Sequence, residues 1–400
     1  MSQLGVVYYV GLFPKLSESF ILNEISELHK RGHNVAVFAQ RNPEEEITHQ
    51  EYRDIDIPVY YSDPSYRDVL QLVSSHSIQK LTKYMPKGYM SCLSLKEIGS
   101  ILLLSKQCAD FIHSLDFEVD IIHSHFATAT RVAALLAAKE NNIPCTVTAH
   151  AFEIFKSPDY AKIRYICNNM SGIVVPSEYN RQYLDENIGV QNSIYVVPAT
   201  TRINKFESAT SPIENRILTV GRLIEKKGIT FAIEAVNQLI KQGIDIEYHI
   251  IGSGPLKNRL QQQVSNSGIE DNVKFLGNVS DSSLKKELKE ASIFLLPCVV
   301  AENGDRDAMP VVLKEAMASE TTCVSTTVSA IPELITDGYD GVLVPPRDPD
   351  SLAVFIMDLL ENPEERKRLA MNGKNTVRTE YSISISVDKL VDVFHSYTNE

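Results

Sequence analysis

Two doubly wound α/β domains are what the sequence predicts, on three observations. Short apolar runs alternate with segments of helical period along the chain, as at 6–10 (VVYYV), 119–126 (VDIIHSHF) and 292–297 (SIFLLP). A polar stretch without periodicity, 199–215 (ATTRINKFESATSPIEN), divides that alternation into two series. Finally, 400 residues exceed what one hydrophobic core of ordinary size organises.

Composition narrows the class further. Apolar content of 44% and charged content of 22% are those of a water-soluble globular chain. No run reaches the length of a membrane span, and the first residues read as a strand without the basic region of a signal peptide. Six cysteines (Cys92, Cys108, Cys145, Cys167, Cys298, Cys323) are scattered without a CxxC pair. Buried free thiols in a reducing compartment are therefore expected, rather than a disulfide framework or a zinc site. A net charge of −12 argues against a nucleic-acid footprint.

In the first half, 6–10 reads as a buried parallel strand. A helix over 20–30 follows, with Ser17 or Ser19 as candidate caps, and 34–39 (NVAVFA) is the second strand. This βαβ start lacks the GxGxxG dinucleotide fingerprint, because Phe13, Pro14 and Lys15 stand where its glycines would be. Lys15, at a helix mouth, is either a solvated lysine or a contact for an anionic ligand.

Residues 78–106 carry five lysines and one glutamate among Met, Leu, Ile and Tyr. A membrane-facing surface is one reading, and a core helix pair with a lysine edge is the favoured one. The strand at 119–126 ends in His123 and His125, with Thr128 or Thr130 as cap for the next helix. The strand at 144–150 ends in His150, with Glu153 just beyond. Open α/β sheets bind ligands at these carboxyl ends. The HxH pair raises the question of a metal, but no carboxylate or cysteine cluster matches it in the sequence, so none is expected. Strands at 172–177 and 193–198 complete the half.

The second series runs strand 217–220, helix 229–241, strand 247–252, strand 273–277, a helix through Leu284 and Leu288, and strand 292–297. Later come 321–327, 341–346 and a helical tail. Arg222 and Lys227 bracket the first strand–helix loop, where an Arg fork and a Lys point charge suit a diphosphate. Gly252 and Gly254 mark a second loop of close backbone approach, though one without a third glycine at Rossmann spacing.

The most informative stretch is 297–320, PCVVAENGDRDAMPVVLKEAMASE. It runs from a strand end through a polar loop into a helix with Pro310 in its first turn. Free N–H groups around 309–312 would face an anion. Asp307 and Glu315, seven residues between them, would accept bonds from vicinal sugar hydroxyls. A ligand with both a diphosphate and sugars explains the combination.

These segments resemble glycosyltransferase family 4, the retaining enzymes of GT-B fold with two facing Rossmann-like domains. The resemblance rests on VGRLIEKKG, IIGSGPL, VKFLGNVSD, ENGDRDAMPVVLKEAMA and IPELITDGYDGVLVPPRDP in the second half. In the first half, FPKLSESFILNEI, IHSHFATAT and TAHAFEIF look like the exopolysaccharide branch. The resemblance implies an acceptor domain at 1–198, a linker at 199–215, a nucleotide-sugar domain at 216–385, and a terminal helix at 386–400 packing back on the first domain.

It further implies that Arg222 and Lys227 bind the diphosphate and that Glu315 is the second acid of the E-x7-E motif. Asp307 stands for the first acid, one methylene shorter than usual, with Asp305 and Glu302 as neighbouring alternatives. His150 matches the histidine near the reacting sugar, Gly11 the loop beside the phosphates, and Val279 the place where backbone meets the base. Gly252, Gly254, Met309, Pro310 and Val311 complete the donor set. Lys15, His125 and Glu153 are the acceptor-side candidates.

The expected reaction is hexose transfer from a nucleotide-diphosphate sugar to a lipid-linked or saccharide acceptor in surface glycan synthesis. The β-phosphate charge would be stabilised without metal or other cofactor by Arg222, Lys227 and helix amides. The expected location is cytoplasmic, with contact at the inner membrane face left open. A GT-B epimerase and a non-catalytic nucleotide-sugar scaffold are the rival readings.

Overall fold

The computed structural model describes residues 2–15, 18–44, 50–62, 85, 87–199, 202–206 and 212–398. The chain forms two compact units: Met1–Pro198 with Ser386–Glu400, and Ala199–Ile385.

The first unit is built on seven strands: β1 (Gly5–Leu12), β2 (Asn34–Arg41), β3 (Val59–Tyr61), β4 (Ile121–His125), β5 (Cys145–Thr148), β6 (Gly172–Val175) and β7 (Ile194–Val196). Their order is β3-β2-β1-β4-β5-β6-β7, and every pairing is parallel. Val6 to Val10 and Ile121 to His125 are buried throughout, which is why these strands read as continuous rather than alternating apolar runs. The helix Leu95–Ser114 opens with a reciprocal capping box between Ser94 and Glu97 and buries Ile101, Leu102, Leu103, Leu104 and Cys108. The part of the lysine-rich segment in this helix, 95–106, thus follows the core-helix reading, while 78–84 and 86 lie outside the described residues.

Two cap expectations are corrected. Ser19 is already helical, Glu18 stands at the N-cap without a side-chain cap bond, and Ser17 lies outside the described residues. Thr128 precedes a 3₁₀ turn, Ala129–Arg131, without a cap bond, and Thr130 lies inside that turn.

The second unit holds β8 (Ile213–Val220), β9 (Glu247–Ile251), β10 (Val273–Gly277), β11 (Ala291–Leu296), β12 (Thr322–Thr326) and β13 (Val342–Val344). Their order is β10-β9-β8-β11-β12-β13, again all parallel. The helix Ile229–Lys241 packs Ala232, Val236 and Leu239 against this sheet's core. The linker stretch carries more structure than its polarity suggests. It contains a 3₁₀ turn, Ile203–Lys205, with Ile203 and Phe206 buried, and Lys205 pairs with Asp281 at 3.1 Å.

The helix Ile383–Thr398 straddles the boundary. Its residues in the first unit pair Asp388 with Arg31 at 2.5 Å and set Phe394 against His123 at 5.2 Å between ring centres.

Candidate active site

Strand order reverses between β8 and β11, and this is the switch point at which open parallel sheets leave a crevice for ligands. The loops leaving β8, β9, β10 and β11 and the helix Val311–Ala318 carry the predicted donor residues of the second unit.

The loop after β8 ends in a 3₁₀ turn, Glu225–Lys227, and then Gly228, whose φ of 65° opens the next helix. A Cβ on Gly228 would lie 1.8 Å from the Pro297 carbonyl oxygen, so this glycine lets the loop close against the end of β11. The contact continues in two hydrogen bonds: Val299 N–H donates to the Lys226 backbone oxygen at 2.9 Å, and Glu302 N–H to the Glu225 carboxylate Oε1 at 3.1 Å.

Across this seam, Lys227 Nζ lies 2.6 Å from Asp307 Oδ2. Lys226 Nζ lies 2.9 Å from Asp305 Oδ1 and 3.3 Å from Asp307 Oδ1. Burial alone would raise the Asp307 carboxyl, but Lys227 and then Lys226 override it and hold the group at about 2. Burial opposes the Lys227 charge, and Asp307 outweighs it, so the ammonium is raised. Of the three candidates for the first acid, Asp307 meets Lys227, Asp305 meets Lys226, and Glu302 is exposed. Lys226 was missed by the sequence reading, although the doubled lysine of IEKKG was there to be seen.

Gly252 and Gly254 lie where two loops meet. A Cβ on Gly252 would sit 2.0 Å from Gly221 O, and one on Gly254 would sit 2.6 Å from Leu223 O. Their smallness brings two loops together, with Leu223 N–H bonded to Ser253 O and Leu256 N–H to Leu223 O, each at 3.0 Å. Arg222 is exposed at the tip of that arrangement.

Pro310 is the N-cap of the helix Val311–Ala318, one position before the helix itself. Met309 and Pro310 are buried and Val311 is half-buried. Glu315 is half-buried one turn into this helix. Val279 is half-buried just before the helix Asp281–Glu290, which Ser280 caps.

In the first unit the order reverses between β1 and β4. Gly11 lies at the carboxyl end of β1, where a Cβ would come 3.2 Å from the guanidinium of buried Arg131. Arg131 in turn donates to His125 O at 2.6 Å, a contact with no sequence signal. Lys15 pairs with Glu18.

The histidines converge. His125 Nδ1 lies 3.1 Å from His150 Nε2, and the His150 ring packs against Phe126 and Phe20 at centroid distances of 4.5 and 5.0 Å. Burial lowers His123 and His125 to about 3 and drives His150 well below the ordinary range, so all three rings are neutral.

Two of the acceptor-side candidates are buried. His125 is 1% exposed, inside the sheet rather than on a surface. Glu153 Oε1 accepts the amides of Ala127 at 2.8 Å and His150 at 2.7 Å, so it braces the turn that carries His150. The expectation that no carboxylate accompanies HxH is corrected too, because Glu24, far off in sequence, lies 3.4 Å from His125 and 3.8 Å from His123. His123 directs one ring nitrogen at Thr146 and the other at Thr148, and Glu24 accepts the Tyr8 hydroxyl at 2.6 Å. His125 Nε2, which faces Glu24, is buried without a hydrogen bond among the described residues.

Fixed lysines and acids at the β8/β11 switch point suit handling of a polar, anionic substrate. Family comparison agrees with this. Residues 17–200 match the family described as Glycosyltransferase Family 4, and residues 201–376 match Glycosyl transferases group 1. The chain belongs to the family 4 glycosyltransferases. This glycosyltransferase is 29% identical over 370 residues to the putative colanic acid biosynthesis glycosyltransferase WcaL of Escherichia coli K12, covering 88% of the chain and 89% of the relative. It is 28% identical over 413 residues to the amylovoran biosynthesis glycosyltransferase AmsK of Erwinia amylovora, covering 98% and 99%.

The fold of this glycosyltransferase is GT-B. A glycosyltransferase from Rickettsia africae superposes with a TM-score of 0.74 at 16% identity, covering 99% of both chains. Anabaena HepE, solved with UDP-glucose, also gives 0.74 at 16% identity, covering 98% and 99%.

Proposed function

We propose that this glycosyltransferase moves a hexose from a nucleotide-diphosphate sugar to a lipid-linked or saccharide acceptor in surface polysaccharide synthesis, with retention of anomeric configuration. The observation that carries the donor assignment is the Lys227–Asp307 pair at the β8/β11 switch point, beside the N-terminus of the helix bearing Glu315. Asp307 keeps Lys227 charged and aimed. Arg222, Lys227 and the first-turn amides meet the charge that develops on the leaving diphosphate, and Glu315 accepts the ribose hydroxyls. With these cations at the leaving group, the departure of the diphosphate requires no metal. The first unit, which carries His150 beside His125, takes the acceptor. The UDP and UDP-glucose bound by Anabaena HepE, and the polysaccharide pathways named for WcaL and AmsK, support this reading.

No helix of the described residues is long and apolar enough to cross a membrane. Lys227→Ala and Glu315→Ala should each lose about 10²-fold or more in transfer while folding normally. Near wild-type turnover in both would contradict the assignment. The anomer of the product, read by NMR, tests retention.

A further inference from the structure

Lys314 is 1% exposed, on the helix Val311–Ala318, immediately before Glu315. A lysine in such a place is costly unless its charge is held. Its Nζ donates to the backbone oxygen of Ala199 and stands 4.7 Å over the ring of Tyr381. Ala199 is the first residue after the chain leaves the first unit, and Tyr381 lies just before the chain returns to it after Ile385. The two crossings are also joined to each other, since Ser386 Oγ donates to Pro198 O at 2.8 Å. Tyr381 is fixed in turn by its hydroxyl, which donates to Glu333 O at 2.7 Å.

We propose that Lys314 is a positioning residue that fastens both crossing segments to the helix bearing Glu315, so that nucleotide bound at that helix is felt at both crossings. The coupling to nucleotide rests on the donor-site reading of Glu315, whereas the fastening stands on the contacts themselves. Sequence logic supports a special role, because every other buried position of this helix is apolar (Leu313, Ala316, Met317, Ala318) and an apolar residue would fill 314 without the desolvation cost. Burial lowers the Lys314 ammonium to about 7, partly opposed by Glu333 on the neighbouring helical turn Ile331–Leu334. The other charged or titratable groups named around it are Tyr381 and, on its own helix, Glu315. The fastening is therefore weakened as pH rises through 7.

The test uses the full chain and its Lys314→Met and Lys314→Arg variants, with hydrogen exchange read on peptides spanning Ala199 and Tyr381. Without nucleotide, Lys314→Met should speed exchange in both peptides by tenfold or more while leaving the peptides of β1 and β4 unchanged. UDP, GDP and ADP are then titrated. The nucleotide that binds wild type should slow exchange in both peptides, should bind Lys314→Met with an affinity within a few-fold, and should no longer slow exchange there. In turnover, Lys314→Met should lower kcat with little change in donor KM, and Lys314→Arg should recover part of kcat with the fall near pH 7 removed from its profile. Unchanged exchange of both peptides in Lys314→Met overturns the inference whatever the nucleotide result. Failure of wild type to bind any of the three nucleotides overturns the donor-site reading instead, and the nucleotide-free exchange still decides the fastening.

Discussion

Asp307 places its carboxylate 2.6 Å from the Lys227 ammonium, so the acid at the end of one loop holds the cation at the end of another. The carboxyl is lowered from 3.8 to about 2, so its stabilising effect is complete above its unfolded value and is lost as pH falls through 2. Asp307→Asn should therefore be less stable than wild type at pH 7, with the gap closing in melts taken from pH 4 towards 2. Its transfer kcat/KM should fall by about tenfold or more, the scale of one charged hydrogen bond. Asp307→Glu, which restores charge, should recover most of both.

Glu153 gives the opposite sign. Burial raises its carboxyl from 4.5 to about 7, against the pull of the backbone amides it accepts. The folded chain thus holds a proton that the unfolded chain releases, and stability falls as pH rises from 4.5 to 7. Glu153→Gln keeps an acceptor oxygen for Ala127 and His150 but cannot ionise. Thermal melts should show a smaller loss of stability over that range in the variant. An unchanged pH slope would show that Glu153 is not the titrating group.

Gly254→Ala and Gly252→Ala should be destabilising by about 2 kcal/mol or more in denaturant melts, because each Cβ would meet backbone rather than a yielding side chain. Gly252 adds a φ of 129°, a conformation few side chains tolerate. Gly243, at φ 90° with nothing near its Cβ position, isolates the cost of φ alone, so Gly243→Ala should be the milder change.

The fold was legible because burial on both faces of a parallel sheet leaves a mark in local sequence. Runs such as 6–10 and 292–297 could be little else, and glycines and prolines punctuated them. The lysine–acid corner was legible for the same reason, since Asp307, Pro310 and Glu315 lie on one continuous loop and helix. What escaped is what the fold assembles from afar. Glu24 meets His125 across about a hundred residues, Arg131 props the end of β1, and Lys314 reaches Ala199, none of which any local period encodes. Glu153 misled because a carboxylate at a helix start near a histidine serves equally well as ligand or brace, and only the amide distances separate the two. The glycines of the 252–254 loop misled likewise, since close approach to a phosphate and close approach to a neighbouring loop leave the same residues.

The central claim is that the β8/β11 corner binds a nucleoside diphosphate without help from a metal. The most direct measurement is the melting temperature of the purified chain with UDP, GDP, ADP and their sugars, with and without EDTA. A ligand that binds only the folded state at 100 times its Kd stabilises by about 2.7 kcal/mol, a rise of several degrees. The account predicts such a rise with at least one of the three, unchanged by EDTA and abolished in Lys227→Ala. No rise with any of them, or a rise that EDTA removes, would contradict it.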